Sequence, residues 1–234
     1  MGVLVYIYTK RAFSVPKLIS ETLSCRRGLK LPRNKNTLIL NWGRQADFSE
    51  YPHVINRTIK NKLTAFKLFK ENKVKCPDFW FTIPIDNLPV LGRDKTHFQG
   101  KDIVLIKNSK DYVYKDFYVK YIDKKQEFRV HLFEDTIINI SKKLPRENEE
   151  QDKIVWCSNR GWRQIRYNEE GIHRKKLESL AKKALKALSY RFGAVDIILD
   201  KDNELWVLEV NSAPNMEGNK VTKFIEILRS LERV

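Results

Sequence analysis

The most regular alternation of hydrophobic and polar positions lies in residues 193–216, GAVDIILDKDNELWVLEVNSAPNM. Two β-rich runs flank a polar DKDNE segment, which predicts a tight hairpin with its turn at Asp202 and Asn203. In that register Asp196 faces Glu209, and Ile198 faces Val207. Because successive side chains point to opposite faces of a strand, one face of the hairpin is expected to be polar and the other to face the core. The polar face carries Asp196, Glu209 and Asn211, and the apolar face carries Val195, Ile197, Leu199, Trp206, Leu208 and Val210.

Two facing carboxylates need a compensating partner. The Cβ atoms of directly opposed residues lie roughly 5 Å apart, and like charges at that position are destabilising. A bridging divalent cation such as Mg²⁺ would compensate, and it suits a cluster of Asp, Glu and Asn oxygens. A solvated outer face of an antiparallel sheet fits the same pattern, and a one-residue slip would put Asp196 and Glu209 on opposite faces. The strand pattern alone leaves both interpretations open.

The first half of the chain has the pattern of a small α/β unit followed by a helix. Buried-type strands at residues 3–8 and 37–40 bracket a basic, partly helical segment, which predicts an N-terminal unit over residues 1–58. Asn61 is a candidate N-cap for a helix that runs to about Asn72, with Leu63, Phe66 and Phe69 facing inward. Strands are then expected at residues 89–93, 101–107 and 117–122, the first two joined by a loop that contains His97 and Gly100.

The second half predicts a hairpin, an amphipathic helix and a terminal helix. Residues 127–133 alternate cleanly, and a two-residue turn at Glu134 and Asp135 leads into residues 136–140. That register places Lys142 opposite Glu127, on the face that also carries Arg129. Residues 173–191 have a helical apolar stripe that is expected to end at Phe192 and Gly193, and a second apolar stripe follows Pro214. The Glu/Arg/Lys ladder is also consistent with ordinary cross-strand ion pairs.

Composition narrows the class of protein. The 234 residues are 42% hydrophobic and 11% aromatic, which indicates a globular chain of one or two domains, and the formal charge of +16 indicates an anionic partner. The three cysteines are widely spaced without metal-ligand spacing, which favours reduced thiols in a cytoplasmic protein. The start GVLVYIY reads as a strand rather than a signal peptide, and no apolar run reaches the ~20 residues of a membrane span.

Three segments resemble ATP-grasp carboxylate–amine ligases. They are the D…E-V-N-S-A-P pattern at 196–214, N-K-L-T-A-F-K-L-F-K-E-N-K-V-K-C-P at 61–77, and E-F-R-V-H-L-F with S-K-K at 127–143. The form of the 93–103 segment is similar to phage-encoded COOH–NH2 ligases, and the chain also resembles ribosomal-protein glutamate ligases. The resemblance implies an α+β ATP-grasp fold, in which a lid subdomain (59–118) and a C-terminal subdomain (119–234) grip a nucleotide, preceded by the small unit of 1–58.

The resemblance also implies a set of nucleotide-binding residues. Lys62 would reach the ATP phosphates, Arg93 would clamp the α- and β-phosphates, and the loop with His97 and Gly100 would cover them. Lys120, Tyr121 and Ile122 would form the hinge that holds adenine, with Glu127 on the ribose hydroxyls. A lysine at a helix N-terminus has the wrong sign for the helix dipole, and an anion bound there would resolve that conflict. A solvated surface lysine is the alternative for Lys62.

The reaction centre follows from the same resemblance. Asp196, Glu209 and Asn211 would hold Mg²⁺, with Mn²⁺ as the alternative ion, on the ATP phosphates. Arg129 and Lys142, or its neighbour Lys143, would contact the γ-phosphate and the acyl-phosphate formed from it. Asn159 and Arg160 lie in a basic, aromatic segment that would approach the acceptor substrate.

These features predict an ATP-dependent ligase that joins a carboxylate to an amine through an acyl-phosphate, acting on small molecules or peptides. Two other functions fit the sequence. The basic excess and the aromatic segment of residues 154–163 are typical of a nucleic-acid-binding protein on a degenerate scaffold. An ATP-dependent kinase of a small molecule would use the same nucleotide site.

Overall fold

The computed structural model describes residues 5–10, 13–95 and 103–231. His97 and Gly100, predicted to cover the phosphates, lie outside the described residues. The described helices are α1 (Ser14–Thr22), α2 (Lys62–Glu71), α3 (Ile172–Ala187) and α4 (Asn219–Leu231). The described strands are β1 (Val5–Tyr8), β2 (Arg26–Gly28), β3 (Leu38–Asn41), β4 (Val54–Ile55), β5 (Phe79–Trp80), β6 (Val90–Arg93), β7 (Val104–Ile106), β8 (Phe117–Lys120), β9 (Lys124–Phe133), β10 (Thr136–Pro145), β11 (Trp162–Arg166), β12 (Phe192–Asp200) and β13 (Leu205–Asn211).

The N-terminal unit is a parallel four-stranded sheet in the order β2-β1-β3-β4. The sequence pattern predicted β1 and β3 but not β2, whose residues Arg-Arg-Gly carry no hydrophobic signal. Helix α4 packs on this unit: Phe224 and Leu228 share a buried cluster with Ile7, Ile19 and the start of β12. Helix α4 therefore covers the core of the N-terminal unit and also contacts β9 and β10.

The middle of the chain forms a second sheet, in the order β5-β8-β6-β7, with antiparallel pairing throughout. Helix α2 precedes this sheet and begins as predicted, because the Asn61 side chain accepts a hydrogen bond from the Thr64 amide at 2.8 Å. Phe66 and Phe69 of α2 lie in one buried cluster with Phe117 of β8. We refer to β5–β8 as the lid sheet.

The third sheet, which we refer to as the large sheet, is antiparallel, in the order β11-β10-β9-β12-β13. Phe128, Val130 and Leu132 face the core as predicted, and they pack with Leu177 and Leu185 of α3. Helices α3 and α2 thus cover one face of this sheet. The other face packs on α4 near Phe133 and Phe192, and elsewhere it lines a cavity toward the lid sheet. None of the described helices is long and apolar enough to cross a bilayer.

The predicted end of α3 at Gly193 is wrong. The helix ends at Ala187, and Ser189, with φ 56°, takes the left-handed conformation there. Gly193 lies inside β12, where a Cβ atom would approach the Asn211 carbonyl oxygen to 3.0 Å and Val210 Cγ1 to 3.1 Å. Glycine at this position therefore serves close packing of the strand rather than a helix end.

Asn56 joins the N-terminal unit to the large sheet, and we expect Asn56→Ala to lower the free energy of unfolding by about 2–4 kcal/mol. Its Nδ2 donates to the Phe192 carbonyl at 2.9 Å, and its Oδ1 accepts from the Arg191 amide at 2.8 Å. Alanine would leave these backbone groups without the amide and would strain the positive φ of 58°. Urea unfolding measures the loss. Asn87→Ala, at an exposed position, is the matched control, and an equal loss in both variants would contradict the assignment.

Candidate active site

The hairpin of β12 and β13 brings the predicted acidic residues together. Asp196 pairs with Glu209 across the ladder, as the sequence predicts, and Asn211 lies opposite Ala194. The register shifts between Asp196 and Ile197, so that Ile197 rather than Ile198 pairs with Val207. This β-bulge inserts Leu208 as the extra residue and reverses the alternation of side chains beyond it.

The bulge makes part of the predicted apolar face wrong. Leu205 and Val207 are the buried residues of β13, and they join the core cluster with Ile197 and Leu199. Leu208, predicted to face the core, lines the cavity instead.

Cations surround both carboxylates. Arg129 of β9 binds Asp196 in a bidentate pair, with Nε–Oδ1 at 2.6 Å and a terminal guanidinium nitrogen–Oδ2 at 2.7 Å. Lys62 Nζ, at the start of α2, lies 3.1 Å from Glu209 Oε2. Asn211 Nδ2 donates to Glu209 Oε1 at 3.1 Å and lies 3.5 Å from Asp196 Oδ2. The carboxylate of Glu209 is therefore the anion that faces the amino group of Lys62.

The pKa values of the two carboxyl groups are shifted in opposite directions. Burial raises the pKa of Asp196, and Arg129 offsets only part of that effect. Burial would also raise the pKa of Glu209, but Lys62, Arg93 and Arg129 together outweigh it and lower the pKa of that carboxyl well below its usual range. Burial lowers the pKa of Lys62, partly offset by Glu209. The three cations around Glu209 therefore favour the ionised form of its carboxyl group.

A second β-bulge shows that the predicted pairing of Glu127 with Lys142 is wrong. The register of β9 with β10 shifts between Ile137 and Asn139, so that Lys142 pairs with Phe128. Lys142 turns away from the cavity and lies 2.9 Å from Glu169. The next residue, Lys143, has the position that the sequence assigned to Lys142, and its amino group binds the Glu127 carboxylate.

Glu127 sits between two lysines. Its Oε1 accepts from Lys143, and its Oε2 accepts from Lys124 at 2.8 Å. All three side chains are less than 10% exposed. Burial opposes the charge on Glu127, but the two lysines outweigh it and lower its pKa. Both oxygens of Glu127 are therefore engaged by lysines, and its contact with the ribose hydroxyls stays a prediction.

A cavity of about 440 Å³ lies between the lid sheet and the large sheet. Among the described residues, seven lysine and arginine side chains and three carboxylates line it, which is an excess of four positive charges. The predicted hinge residues Lys120, Tyr121 and Ile122 belong to the lining, which also contains apolar side chains: Pro77, Leu91, Ile103, Val119, Ile198 and Leu208. Arg93, at the end of β6, is buried in the wall and near enough to Glu209 to lower its pKa.

The segment between β10 and β11 also lines the cavity. Trp156 and Trp162 stack with ring centroids 3.8 Å apart, and Lys124 Nζ lies 4.7 Å from the Trp156 ring. Lys143 also donates to the Trp156 carbonyl, which ties the segment to Glu127. The predicted residues Asn159 and Arg160 do not line the cavity: Asn159 is exposed, and Arg160 pairs with Asp152.

Sequence reasoning did not single out Lys124 or Gln164, and it named Lys143 only as the alternative to Lys142. Within residues 154–163 it chose Asn159 and Arg160, whereas Trp156, Trp162 and Arg163 line the cavity. The only signal for Lys143 was the pair of adjacent lysines, which the pattern could not resolve. Lys124 and Trp156 meet through tertiary packing, for which spacing in the sequence gives no sign.

Comparison with known proteins identifies the fold. No protein-family model and no curated protein matches the chain. Among solved structures, the ATP-grasp ligase PsnB complexed with minimal precursor is similar with a TM-score of 0.72 at 10% identity, over 98% of this chain and 99% of that chain. D-alanine–D-alanine ligase from Bacillus anthracis gives a TM-score of 0.68 at 12% identity, over 100% of this chain and 99% of that chain. N5-carboxyaminoimidazole ribonucleotide synthetase from Thermotoga maritima gives 0.67 at 12% identity, over 95% and 72%.

The chain has the ATP-grasp fold. The predicted α+β class is thereby confirmed, and the cavity between the two sheets is the cleft between the two parts of that fold. Such low sequence identity leaves the identity of the ligands to be argued from this chain's own residues.

The carboxylate cluster of this ATP-grasp chain fits a magnesium ion held jointly with phosphates. No group of three His, Cys, Asp or Glu side chains that could hold a metal alone occurs among residues 5–10, 13–95 and 103–231. Asp196 and Glu209 supply carboxylate oxygens with two negative charges, and the Asn211 Nδ2 group lies between them. Mg²⁺ commonly takes one or two carboxylates plus substrate phosphates.

His131 fixes the loop that follows β13, and we expect its burial to make stability depend on pH. Its Nε2 lies 3.1 Å from the Asn215 carbonyl, and the side chain is 1% exposed. Burial, helped by Lys220 and Arg129, lowers the pKa of His131 to about 3. Because the unfolded chain binds this proton near pH 6.5 and the folded chain does not, stability is present above pH 6.5 and is lost as the pH falls towards 3.

The expected loss from this group is about 2 kcal/mol between pH 7 and pH 5. Urea unfolding at a series of pH values measures it, and His131→Gln, whose amide can still donate to Asn215, provides the comparison. The difference in slope between the two proteins isolates the histidine. Parallel curves for both would show that His131 is protonated equally in the folded and unfolded states.

Proposed function

We propose that the protein is an ATP-dependent carboxylate–amine ligase. The observation that carries the proposal is the facing pair Asp196 and Glu209, in a cleft of the ATP-grasp fold whose described lining holds an excess of positive charge. An ATP triphosphate supplies the negative charge that this lining lacks, and Mg²⁺ held by Asp196, Glu209 and Asn211 supplies the charge neutralisation that phosphoryl transfer requires.

The predicted hinge sets the proposed orientation of the nucleotide. The adenine would lie against residues 120–122, whose main-chain groups are the expected partners of its polar edge. The triphosphate would then lie along Lys62 and Arg93 towards the carboxylates. The cations of the wall, Arg93 above all, are buried enough to act in a low dielectric, where their effect on a phosphate exceeds that in water.

The reacting groups would meet beside Lys143 and Arg129. A substrate carboxylate attacks the γ-phosphorus, ADP leaves, and an amine then displaces phosphate from the acyl-phosphate. Lys143 replaces Lys142 in this proposal because only Lys143 lines the cavity. The enzyme's contribution would be positioning and charge stabilisation, for which preorganised lysines and arginines are suited. The acceptor amine would bind beside Trp156, which also lines the cavity.

The substrates are proposed as peptides or small molecules. PsnB, one of the similar structures, is complexed with a precursor, whereas D-alanine–D-alanine ligase is named for a small substrate. The charge of +16 favours acidic donors. The closer kinship to phage-encoded ligases and to ribosomal-protein glutamate ligases, and the cytoplasmic location, stay predictions.

A panel of carboxylates and amines, including acidic peptides, tests the function by ADP release. We expect release that requires both substrates in the wild type and is lost in Glu209→Gln. Hydroxylamine in place of the amine should trap an acyl-phosphate as a hydroxamate. Equal ADP release by wild type and Glu209→Gln with every pair would refute the proposal. Salt-sensitive polynucleotide binding without turnover would favour the nucleic-acid-binding alternative instead.

A further inference from the structure

The two carboxylates proposed as metal ligands are already engaged by side chains. Both oxygens of Asp196 accept hydrogen bonds from Arg129, at 2.6 and 2.7 Å. Glu209 is bonded by Asn211 at 3.1 Å on one oxygen and lies 3.1 Å from Lys62 on the other. These ion pairs with Arg129 and Lys62 compensate the repulsion between the two facing carboxylates.

The charge balance around the carboxylates disfavours a metal ion on its own. Four cations, Arg129, Lys143, Lys62 and Arg93, act on the two carboxylates, which leaves a net charge of two positive units at the place where a dication would have to bind. A nucleotide brings three or four negative charges and reverses the sign. A divalent ion is therefore attracted to this site only after, or together with, the phosphates.

The ion pairs are placed where they can exchange partners without unfolding the core. Arg129, Lys62 and Glu209 all line the cavity, and their side chains are 21%, 24% and 26% exposed. A phosphate entering the cavity would offer the guanidinium and the ammonium group an acceptor of higher charge than a single carboxylate. The carboxylate oxygens would then be released towards the metal.

We propose that Arg129 and Lys62 act as exchangeable counter-cations: they occupy Asp196 and Glu209 in the nucleotide-free protein and move to the phosphates when nucleotide binds, so that the metal site is assembled only with nucleotide. This inference rests on the proposed nucleotide-binding function. It assigns Arg129 a positioning role that precedes any contact with the transferred phosphoryl group.

Electron paramagnetic resonance of free Mn²⁺ tests the inference without any turnover. Wild-type protein is titrated with Mn²⁺ alone and with ADP, and ADP affinity is measured separately by calorimetry. We expect weak Mn²⁺ binding without ADP, and binding at least about tenfold tighter with it, beyond the affinity of Mn²⁺ for ADP in buffer. Asp196→Asn should lose the ADP-dependent gain.

The decisive variant is Arg129→Met, which removes the charge and keeps much of the side-chain volume. It should bind Mn²⁺ without ADP at least about tenfold more tightly than the wild type, because one positive charge next to the ion is gone. Adding Asp196→Asn to it should abolish that gain. Arg166→Met, at an exposed arginine outside the cavity lining, is the matched control and should behave as wild type. If Arg129→Met does not fold, Lys62→Met makes the same test at Glu209.

The outcomes separate this inference from the proposed function. Tight Mn²⁺ binding by nucleotide-free wild type that is lost in Asp196→Asn would overturn the inference and leave the ligase proposal standing. The same holds if neither Arg129→Met nor Lys62→Met gains Mn²⁺ affinity. Failure of wild type to bind ADP at all would overturn the proposed function, and the inference with it.

Discussion

Lys143→Ala is expected to lower kcat/KM for ADP release by about 10²–10³-fold, whereas Lys142→Ala should change it by less than about twofold. The two residues are adjacent in β10 and chemically identical, but their amino groups lie in different surroundings. Lys143 is 8% exposed in its side chain, binds Glu127 and lines the cavity. Lys142 lies 2.9 Å from Glu169, whose side chain is 65% exposed.

The size of the difference follows from where each charge acts. Loss of a preorganised cation from a water-poor reaction site removes stabilisation that develops with the transferred charge. Loss of a surface ion pair changes little, because exposed pairs contribute at most about 1 kcal/mol to stability. Steady-state ADP release with the substrates found in the panel gives kcat and KM, and calorimetry gives ADP affinity for both variants.

Glu127→Gln provides the control for the proposed geometry, because it keeps the side-chain volume and removes the charge that holds Lys143 and Lys124. We expect an effect intermediate between the two lysine variants, with more loss in kcat than in ADP affinity. If Lys142→Ala lowered kcat/KM as much as Lys143→Ala, the assignment of the catalytic role to Lys143 rather than Lys142 would be wrong.

The sequence predicted well those features that depend on local chemistry. The Asn61 cap, the inward stripe of α2 and the core face of β9 follow from propensity and periodicity, and the structure confirms each. The α+β class rested on the order of several motifs rather than on any one of them. The helix cap and the two inward-facing stripes, by contrast, need only information from a few neighbouring residues.

The two hairpins show what the sequence could not provide. Each contains a β-bulge, and an extra residue in one strand shifts every later pair by one without any signature in hydrophobicity. In β9 and β10 the shift exchanged Lys142 for Lys143. Between β12 and β13 the turn is longer than the predicted two residues, because the Asp200 amide donates to the Glu204 carbonyl. The longer turn shifts the register by one residue near the turn, and the bulge shifts it back at Asp196. The predicted pairing with Glu209 was therefore correct although the far end of the ladder was not.

The remaining site residues are joined only by tertiary structure. Glu127 is predicted to contact the ribose hydroxyls, and in the structure Lys124 and Lys143 bind its carboxylate from two different points of the chain. Trp156 reaches the same cluster from the β10–β11 segment. No spacing rule predicts that a loop carbonyl and two lysines will converge on one buried carboxylate, because each contact depends on the packing of the others.

Two aspartates of the same strand should separate catalysis from stability. We expect Asp196→Asn to lower kcat/KM for ADP release by about 10³-fold or more, because it removes one of the two proposed charged metal ligands. We expect Asp200→Asn to leave turnover within about threefold and to lower the free energy of unfolding by about 1–3 kcal/mol. Both side chains are largely buried, at 4% and 8% exposure, so burial alone does not distinguish them.

Their partners do distinguish them. Asp200 accepts from the Asp202 and Glu204 amides at 2.9 and 2.8 Å and from Trp206 Nε1 at 2.7 Å, all within its own hairpin. Asp196 faces the cavity and binds Arg129, a side chain that also lines it. Asparagine retains an acceptor for one Arg129 bond, so the Asp196 variant should stay folded, and urea unfolding together with ADP release checks both halves. A turnover defect in Asp200→Asn as large as that in Asp196→Asn would mean that hairpin geometry, rather than the charge of Asp196, controls the reaction.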